Sequence, residues 1–120
     1  MNKKTIEVCY VDDDEMYGGI LDALFMESEG LKVKFFSSQK AYKNSYKKTS
    51  DISFLISDYH MKGEPNGVEF VNKERHLFNF VMVTSGDDCV CHICHEHGIL
   101  FIGKNRLFNF IEGIEVGVTC

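Results

Sequence analysis

Short apolar runs alternate with amphipathic segments along the whole chain. Four of these runs are nearly continuous in apolar residues, and they span 6–11, 52–57, 80–83 and 99–103. Such runs are typical of strands that are buried on both faces of a parallel sheet. A further segment from Leu31 to Phe35 alternates apolar residues with lysines, as a half-exposed edge strand does. The pattern therefore predicts five strands.

The segments between the strands have the apolar spacing of helices. The first helix is predicted to end at Glu29-Gly30 and to carry an apolar face made by Tyr17, Ile20, Leu21, Leu24 and Phe25. Four more helices are predicted within 37–50, over 68–75, over 88–97 with Gly98 as its C-cap, and over 105–114 with a weak end at Gly113.

The strict alternation of strands and helices indicates an α/β fold. We expect one domain over 1–120, with a doubly wound parallel sheet of five strands covered by helices on both faces. A chain of 120 residues with 44% apolar residues is long enough for one core and too short for two.

Charge and hydropathy exclude several classes of function. The net charge is −5, and no segment combines many lysines and arginines with stacking aromatic residues, so direct nucleic-acid binding is not expected. The apolar runs are too short to cross a bilayer or to act as a secretory signal. The sequence therefore predicts a cytoplasmic protein with no membrane contact.

Each continuous run is followed by a side chain that can bind a metal ion or contact a phosphoryl group. Because the carboxyl ends of parallel strands meet at one edge of the sheet, we expect these groups to lie close together. Asp14 is assigned instead to the start of the first helix, where a carboxylate suits the helix dipole. The remaining groups are Asp12 and Asp13 after the first run, Asp58 after the second, Thr84 and Ser85 after the third, and Lys104 after the fourth.

These residues resemble the receiver domain of bacterial two-component response regulators, the CheY-like phosphoacceptors. The resemblance covers essentially the whole chain and rests on Val11-Asp12-Asp13, 58–61, Thr84-Ser85 and 101–104. It implies a flavodoxin/CheY-like (β/α)5 fold with strand order 2-1-3-4-5. It also implies a role as the phosphoacceptor of a two-component phosphorelay.

The resemblance also implies roles for single residues. Asp58 would be the phosphoacceptor, and Mg²⁺, for which Mn²⁺ could substitute, would be held by Asp12, Asp13, Asp58 and the backbone carbonyl of His60. Thr84 and Lys104 would contact the phosphoryl oxygens. Because three carboxylates at one site repel each other, at least one should have a raised pKa when no cation is bound.

The family's output is a change in protein binding rather than the turnover of a substrate. The phosphoryl donor would be a phosphohistidine on a sensor histidine kinase or a histidine phosphotransfer protein. Thr84 and Phe101 would act as the switch that alters affinity for an unknown output protein or domain. The chain would support its own phosphotransfer and slow dephosphorylation without being a conventional enzyme.

The sequence departs from the family pattern in two loops. Lys62 stands where a proline is usual, and the loop that runs to Gly67 is one residue longer, with Pro65 displaced. Asn105 follows Lys104 where the family usually has a proline. The aim of the lysine side chain therefore has to come from other contacts.

The segment 89–97 is rich in cysteine and histidine and suggests a different hypothesis for the function. Cys91 to His95 match the pattern of c-type haem attachment, but the chain shows no export signal. Cys91 with His95, and Cys94 with His97, also have spacings that suit zinc ligands on one helix. The alternatives are a metal- or thiol-responsive binding module built on 89–97 and a degenerate receiver that only binds a partner.

Overall fold

The computed structural model describes residues 5–119, and the side chains as far as Val116. It contains one sheet of five parallel strands in the order β2-β1-β3-β4-β5, which confirms the predicted fold class and strand order. The strands are β1 (Ile6–Val11), β2 (Leu31–Phe36), β3 (Ile52–Asp58), β4 (Phe80–Ser85) and β5 (Leu100–Gly103).

Five helices connect and follow these strands. They are α1 (Glu15–Phe25), α2 (Gln39–Ser45), α3 (Gly67–Glu74), α4 (Val90–Glu96) and α5 (Leu107–Thr119). Two short 3-10 turns, Arg75–Leu77 and Lys104–Arg106, precede β4 and α5. None of the helices among the described residues has the length and apolar character that crossing a membrane requires.

The strands separate two apolar cores because their side chains alternate between the two faces of the sheet. On one face, Cys9 and Val11 pack with residues of α2, α3 and α4. On the other face, Val8 and Tyr10 pack with residues of α1 and α5. Cys9 is fully buried, as expected for a cysteine that acts as a small apolar residue.

The first helix is shorter than the sequence predicts. It ends at Phe25 and not near Gly30, because the chain turns there, with the Ser28 amide donating to the carbonyl of Phe25. Leu24, which the sequence predicts on the apolar face, is 56% exposed. The buried stripe of α1 runs through Gly18, Leu21 and Phe25, so Leu24 lies outside it.

The last helix starts later and runs further than predicted. Residues 104–106 form a 3-10 turn, so α5 begins at Leu107, and it continues past Gly113 to Thr119. Gly113 is exposed, with open space where a Cβ would stand, and the helix continues through it. Gly98 follows His97, the C-cap residue of α4, and has φ +65°, so it takes the left-handed position that ends the helix, as the sequence predicts within one residue.

Candidate functional site

Three carboxylates meet at the carboxyl edge of the sheet. Asp12 and Asp13 follow β1, and Asp58 ends β3, the strand that pairs with β1. Carboxylate oxygens of the three residues lie within 4.8 Å of one another. Asp12 and Asp58 are buried, whereas Asp13 is exposed. Together with Lys104 these residues are called the acid pocket below.

Lys104 brings a positive charge into the acid pocket from the loop after β5. Its Nζ lies 3.1 Å from Oδ2 of Asp12 and 3.4 Å from Oδ1 of Asp58. The ring of Tyr17 lies against the same ammonium group, 4.6 Å from Nζ to the ring centroid. Burial lowers the pKa of Lys104, but its hydrogen bonds and charge attraction to Asp12 and Asp58 outweigh this and raise the pKa overall. The lysine is therefore aimed at the acids although Asn105 follows it.

Asp58 has a pKa well above its ordinary value. Burial in the sheet edge contributes most, the negative charge of Asp12 adds to it, and Lys104 opposes both, so that the pKa of Asp58 rises to about 6. This confirms the expectation that one of three crowded carboxylates should show a raised pKa. At neutral pH the group is still mostly ionised.

Backbone and phenol donors fix the other two acids. Oδ1 of Asp12 accepts a hydrogen bond from the Asp14 amide at 2.9 Å, and Oδ2 accepts one from the hydroxyl of Tyr10. Oδ2 of Asp13 accepts a hydrogen bond from the Lys62 amide at 3.0 Å. Asp14 itself caps α1 through a bond from the Met16 amide, which confirms its predicted place at the helix start.

Thr84 places a buried hydroxyl at the end of β4, next to the acid pocket. It is the register partner of Asp58 across β3 and β4, and it is fully buried. Its Oγ1 has no hydrogen-bond partner among the described residues. A buried hydroxyl without a partner costs about 1–3 kcal/mol, so a native structure that keeps one usually has a use for it.

The loop after β3 closes the other side of the acid pocket. His60 is exposed in this loop beside Tyr59, and the loop borders a cleft of about 340 Å³ lined by Asp13 and His60. The Gly67 amide donates to the carbonyl of Tyr59 at 2.8 Å. A Cβ at Gly67 would stand 2.4 Å from the carbonyl oxygen of Asp58, so only glycine fits there.

Comparisons with known proteins agree with this architecture at the level of structure only. No family model matches the sequence, and no curated protein matches it. The non-phosphorylated receiver domain of RcsB from Escherichia coli superimposes with a TM-score of 0.71 at 17% identity, covering 95% of both chains. A response regulator receiver protein from Pseudoalteromonas atlantica gives 0.67 at 15% identity, covering 95% of this chain and 99% of its own. The fold is that of receiver domains.

A solved structure that is described as an enzyme has a similar fold. An adenylate cyclase from Rhodopirellula baltica gives a TM-score of 0.70 at 18% identity, covering 98% of this chain and 87% of the other. At such identities the likeness shows the fold and does not assign an activity. The function of this receiver-like fold has to be argued from its site.

The acid pocket has the donor set of a magnesium site. Mg²⁺ prefers a few hard oxygen ligands and keeps several waters. Asp12, Asp13 and Asp58 offer carboxylate oxygens that already lie close together, and the exposed Asp13 leaves one side open to solvent. The residues present therefore fit the ion that the resemblance implies.

The structure divides the cysteine and histidine segment into a buried part and an exposed part. Cys94 is 0% exposed, whereas Cys91, His95 and His97 are exposed. A haem would need both Cys91 and Cys94 at the surface, and the pairing of Cys94 with His97 needs the same thiol. Only the pair Cys91 and His95 keeps both of its members accessible.

Two tyrosines at the site were not among the predicted residues. Tyr10 binds Asp12, and Tyr17 packs against Lys104. The first carried a signal, because residues two apart on a strand point to the same face and Tyr10 is two residues before Asp12. The second depends on how α1 packs beside the loop after β5, which the sequence pattern does not specify.

Proposed function

We propose that this chain is a receiver domain that accepts a phosphoryl group on Asp58, with Mg²⁺, in a two-component phosphorelay. The observation that supports this most is the buried hydroxyl of Thr84, the register partner of Asp58, which has no hydrogen-bond partner within the described part of the chain. An oxygen of a phosphoryl group on Asp58 would give that hydroxyl an acceptor. If the aspartates were only a solvated acidic turn, a buried Thr84 hydroxyl beside them would have no function.

Asp58 would act as the nucleophile. A carboxylate oxygen attacks the phosphorus of a phosphohistidine, the O–P bond forms, and the electron pair of the broken N–P bond stays on the imidazole of the donor. The attacking carboxylate has to be ionised, and a pKa of about 6 allows this at neutral pH. The same raised pKa makes Asp58 more basic than an ordinary surface aspartate.

Lys104 would offset the charge that the phosphoryl group brings. Its ammonium already lies 3.4 Å from Asp58, so it can contact a phosphoryl oxygen after a small movement of a partly exposed side chain. Bound Mg²⁺ would supply further positive charge at this position, held by Asp12, Asp13, Asp58 and the backbone carbonyl of His60. Positioning and charge neutralisation carry most of the catalysis of phosphoryl transfer.

Thr84 and Phe101 would pass the change to the protein surface. A hydrogen bond from Thr84 to the phosphoryl group would draw in the end of β4, which leads directly into the loop before α4. Phe101 is half-buried on β5 and pairs in register with Val83 of β4, next to Thr84. A partner that binds one of the two arrangements better would then respond to phosphorylation.

The partners follow from this chemistry. The donor would be a sensor histidine kinase or a histidine phosphotransfer protein, and the output would be a protein or domain that recognises the phosphorylated state. Both would meet this chain in the cytoplasm. The chain would take part in its own phosphotransfer and slow dephosphorylation and would not be a conventional enzyme.

Intact mass after incubation with acetyl phosphate tests the proposal. We expect the mass of one phosphoryl group to be gained by the wild type only with Mg²⁺, and not by Asp58→Asn. The matched control is Asp51→Asn, because Asp51 is an exposed aspartate just before β3, far from the acid pocket along that strand. A folded wild-type protein that gains no mass in Mg²⁺, or a gain that survives in Asp58→Asn, would overturn the proposal.

A further inference from the structure

A stripe of metal-ligating side chains runs along the exposed side of α4, outside the acid pocket. Asp88, Cys91, His92 and His95 follow the spacing i, i+3, i+4 and i+7, which places them on one helical face. All four residues are exposed. Helical geometry extends back to Asp88, because the Cys91 amide donates to its carbonyl at 3.1 Å and Cys89 has φ −62° and ψ −25°.

The two thiols of this helix have opposite environments. Cys94 belongs to the apolar core formed with Val90 and Ile99, and burial raises its pKa to about 11. A thiol in this state does not bind a metal ion from solvent. Cys91 lies one turn earlier on the helix, three residues before Cys94, and it is exposed, so its thiol is accessible to solvent.

We propose that Cys91, His92 and His95 form a binding site for a thiophilic divalent cation such as Zn²⁺. Cys91 and His95 are four residues apart, and His92 and His95 are three apart. Within each of these two pairs the Cβ atoms lie about 5–6 Å apart. One thiolate and two imidazoles are ligands that zinc prefers and that Mg²⁺ avoids. The fourth ligand is Asp88 or water. On binding, the Cys91 thiol releases its proton to solvent as the sulfur–metal bond forms.

The site forms by rotation of side chains that are free to move. The ligand atoms on α4 do not yet converge on one point. Among the described residues, the group of three or more whose ligand atoms already lie together is formed by the three aspartates of the acid pocket. Exposed side chains change rotamer within nanoseconds, so the ligands of α4 can close on an ion without moving the backbone. Asp87, Asp88 and Glu96 are also exposed around this helix, and their charges favour the approach of a cation.

Cobalt separates this site from the acid pocket. The acid pocket offers oxygen ligands, whereas the α4 site contains a thiolate, and only a thiolate gives Co²⁺ an intense charge-transfer band in the near ultraviolet. We would titrate the whole chain with Co²⁺ under a non-thiol reductant, with Mg²⁺ in excess, and then displace the cobalt with Zn²⁺. The expected result is one thiolate-bound cobalt per chain, released by zinc. A folded protein without the band would overturn the proposal.

Matched variants identify the ligands. Cys91→Ser and His95→Ala should each abolish the band, whereas Asp58→Asn and Cys89→Ser should keep it. Cys89 is also an exposed thiol, but it is six residues from His95 and lies off the stripe. A band that is kept in Cys91→Ser and lost in Cys89→Ser would overturn the assignment, and so would one ion per two chains. Because every altered residue except Asp58 is exposed, circular dichroism should show an unchanged fold.

Discussion

The hydroxyl of Tyr10 donates a hydrogen bond to Oδ2 of Asp12, the same oxygen that lies 3.1 Å from Nζ of Lys104. Tyr10 is fully buried, so its phenol is fixed by the core formed with α1 and α5. Burial and the negative charge of Asp12 raise the pKa of Tyr10, so the hydroxyl remains a donor at all physiological pH values. One oxygen of the acid pocket is therefore oriented from inside the protein.

Replacing Tyr10 by phenylalanine should weaken Mg²⁺ binding. The ring and its packing remain, but Asp12 loses a donor that orients it, and the loss of such a supporting hydrogen bond typically weakens metal binding by about tenfold. Isothermal titration of Mg²⁺ would measure this. Tyr42→Phe is the control, since its hydroxyl interacts with Glu74 on α3 and not with the acid pocket. Equal loss in both variants would contradict the assigned role.

The raised pKa of Asp58 predicts how stability depends on pH in metal-free protein. The pKa rises from 3.8 to about 6 on folding, so the folded state binds the proton more tightly. The contribution of Asp58 to the free energy of unfolding should therefore be greatest below about pH 4, and it should fall as the pH rises through 6. Asp58→Asn should be more stable than wild type by on the order of 1–2 kcal/mol at pH 7.5.

The difference between Asp58→Asn and the wild type should shrink toward zero near pH 4. Urea unfolding at several pH values, with a chelator present, would measure it. Asp51→Asn should show no such trend, because that residue is exposed. A difference that grows as pH falls would mean that the Asp58 pKa is lowered in the folded protein.

Two glycine-to-alanine changes should have opposite effects on stability. Gly67→Ala places a Cβ 2.4 Å from the Asp58 carbonyl oxygen and 2.9 Å from Cα of Tyr59, so we expect a loss of about 3 kcal/mol and impaired phosphorylation. Gly113→Ala lies in open space within α5 and should stabilise the protein by about 0.5–1 kcal/mol. Thermal unfolding of both variants checks this pair, and a stabilised Gly67→Ala protein would contradict it.

Removing the charge of Lys34 should destabilise the protein strongly. Glu7 is fully buried on β1, and its carboxylate accepts from Lys34 at 2.8 Å, from the Thr49 hydroxyl at 2.7 Å and from Tyr46. Burial raises the pKa of Glu7, but these donors outweigh it, so the pKa is lowered and the stabilisation is lost as pH falls through it.

Lys34→Met should cost about 3 kcal/mol at pH 7, because it leaves a buried carboxylate without its cation. Urea unfolding would show this, and adding Glu7→Gln in the same chain should recover part of the loss. If the double variant is as unstable as Lys34→Met alone, packing of the lysine stem rather than charge is responsible.

The strands and the acid pocket could be predicted well because both depend on where apolar runs stop. The run 6–11 became β1 with the same bounds, and Asp12 and Asp58 lie together because their strands are adjacent and parallel. Helix ends were harder to predict. Helix α1 ends at Phe25 in a backbone turn, and α5 starts at Leu107 after a 3-10 turn. The spacing of apolar residues does not indicate either turn.

The remaining site details depend on packing between elements that are distant in sequence. The contact of Tyr17 with Lys104 joins α1 to the loop after β5. The Thr84 hydroxyl can be recognised as lacking a partner among the described residues only once the side chains around it are placed. Likewise, helical spacing allowed both Cys91 with His95 and Cys94 with His97. Only the orientation of α4 on the sheet shows that Cys94 is buried.

The strand order along the chain has a consequence for synthesis. Asp12, Asp13 and Asp58 are all present once β3 has been made, but Lys104 follows β5, the last strand to leave the ribosome. Until then, a partly folded domain would hold two buried carboxylates whose ammonium partner, 3.1 and 3.4 Å away in the finished protein, does not yet exist. Docking of β5 therefore completes the sheet and brings the positive charge of Lys104 to its acidic edge in the same event.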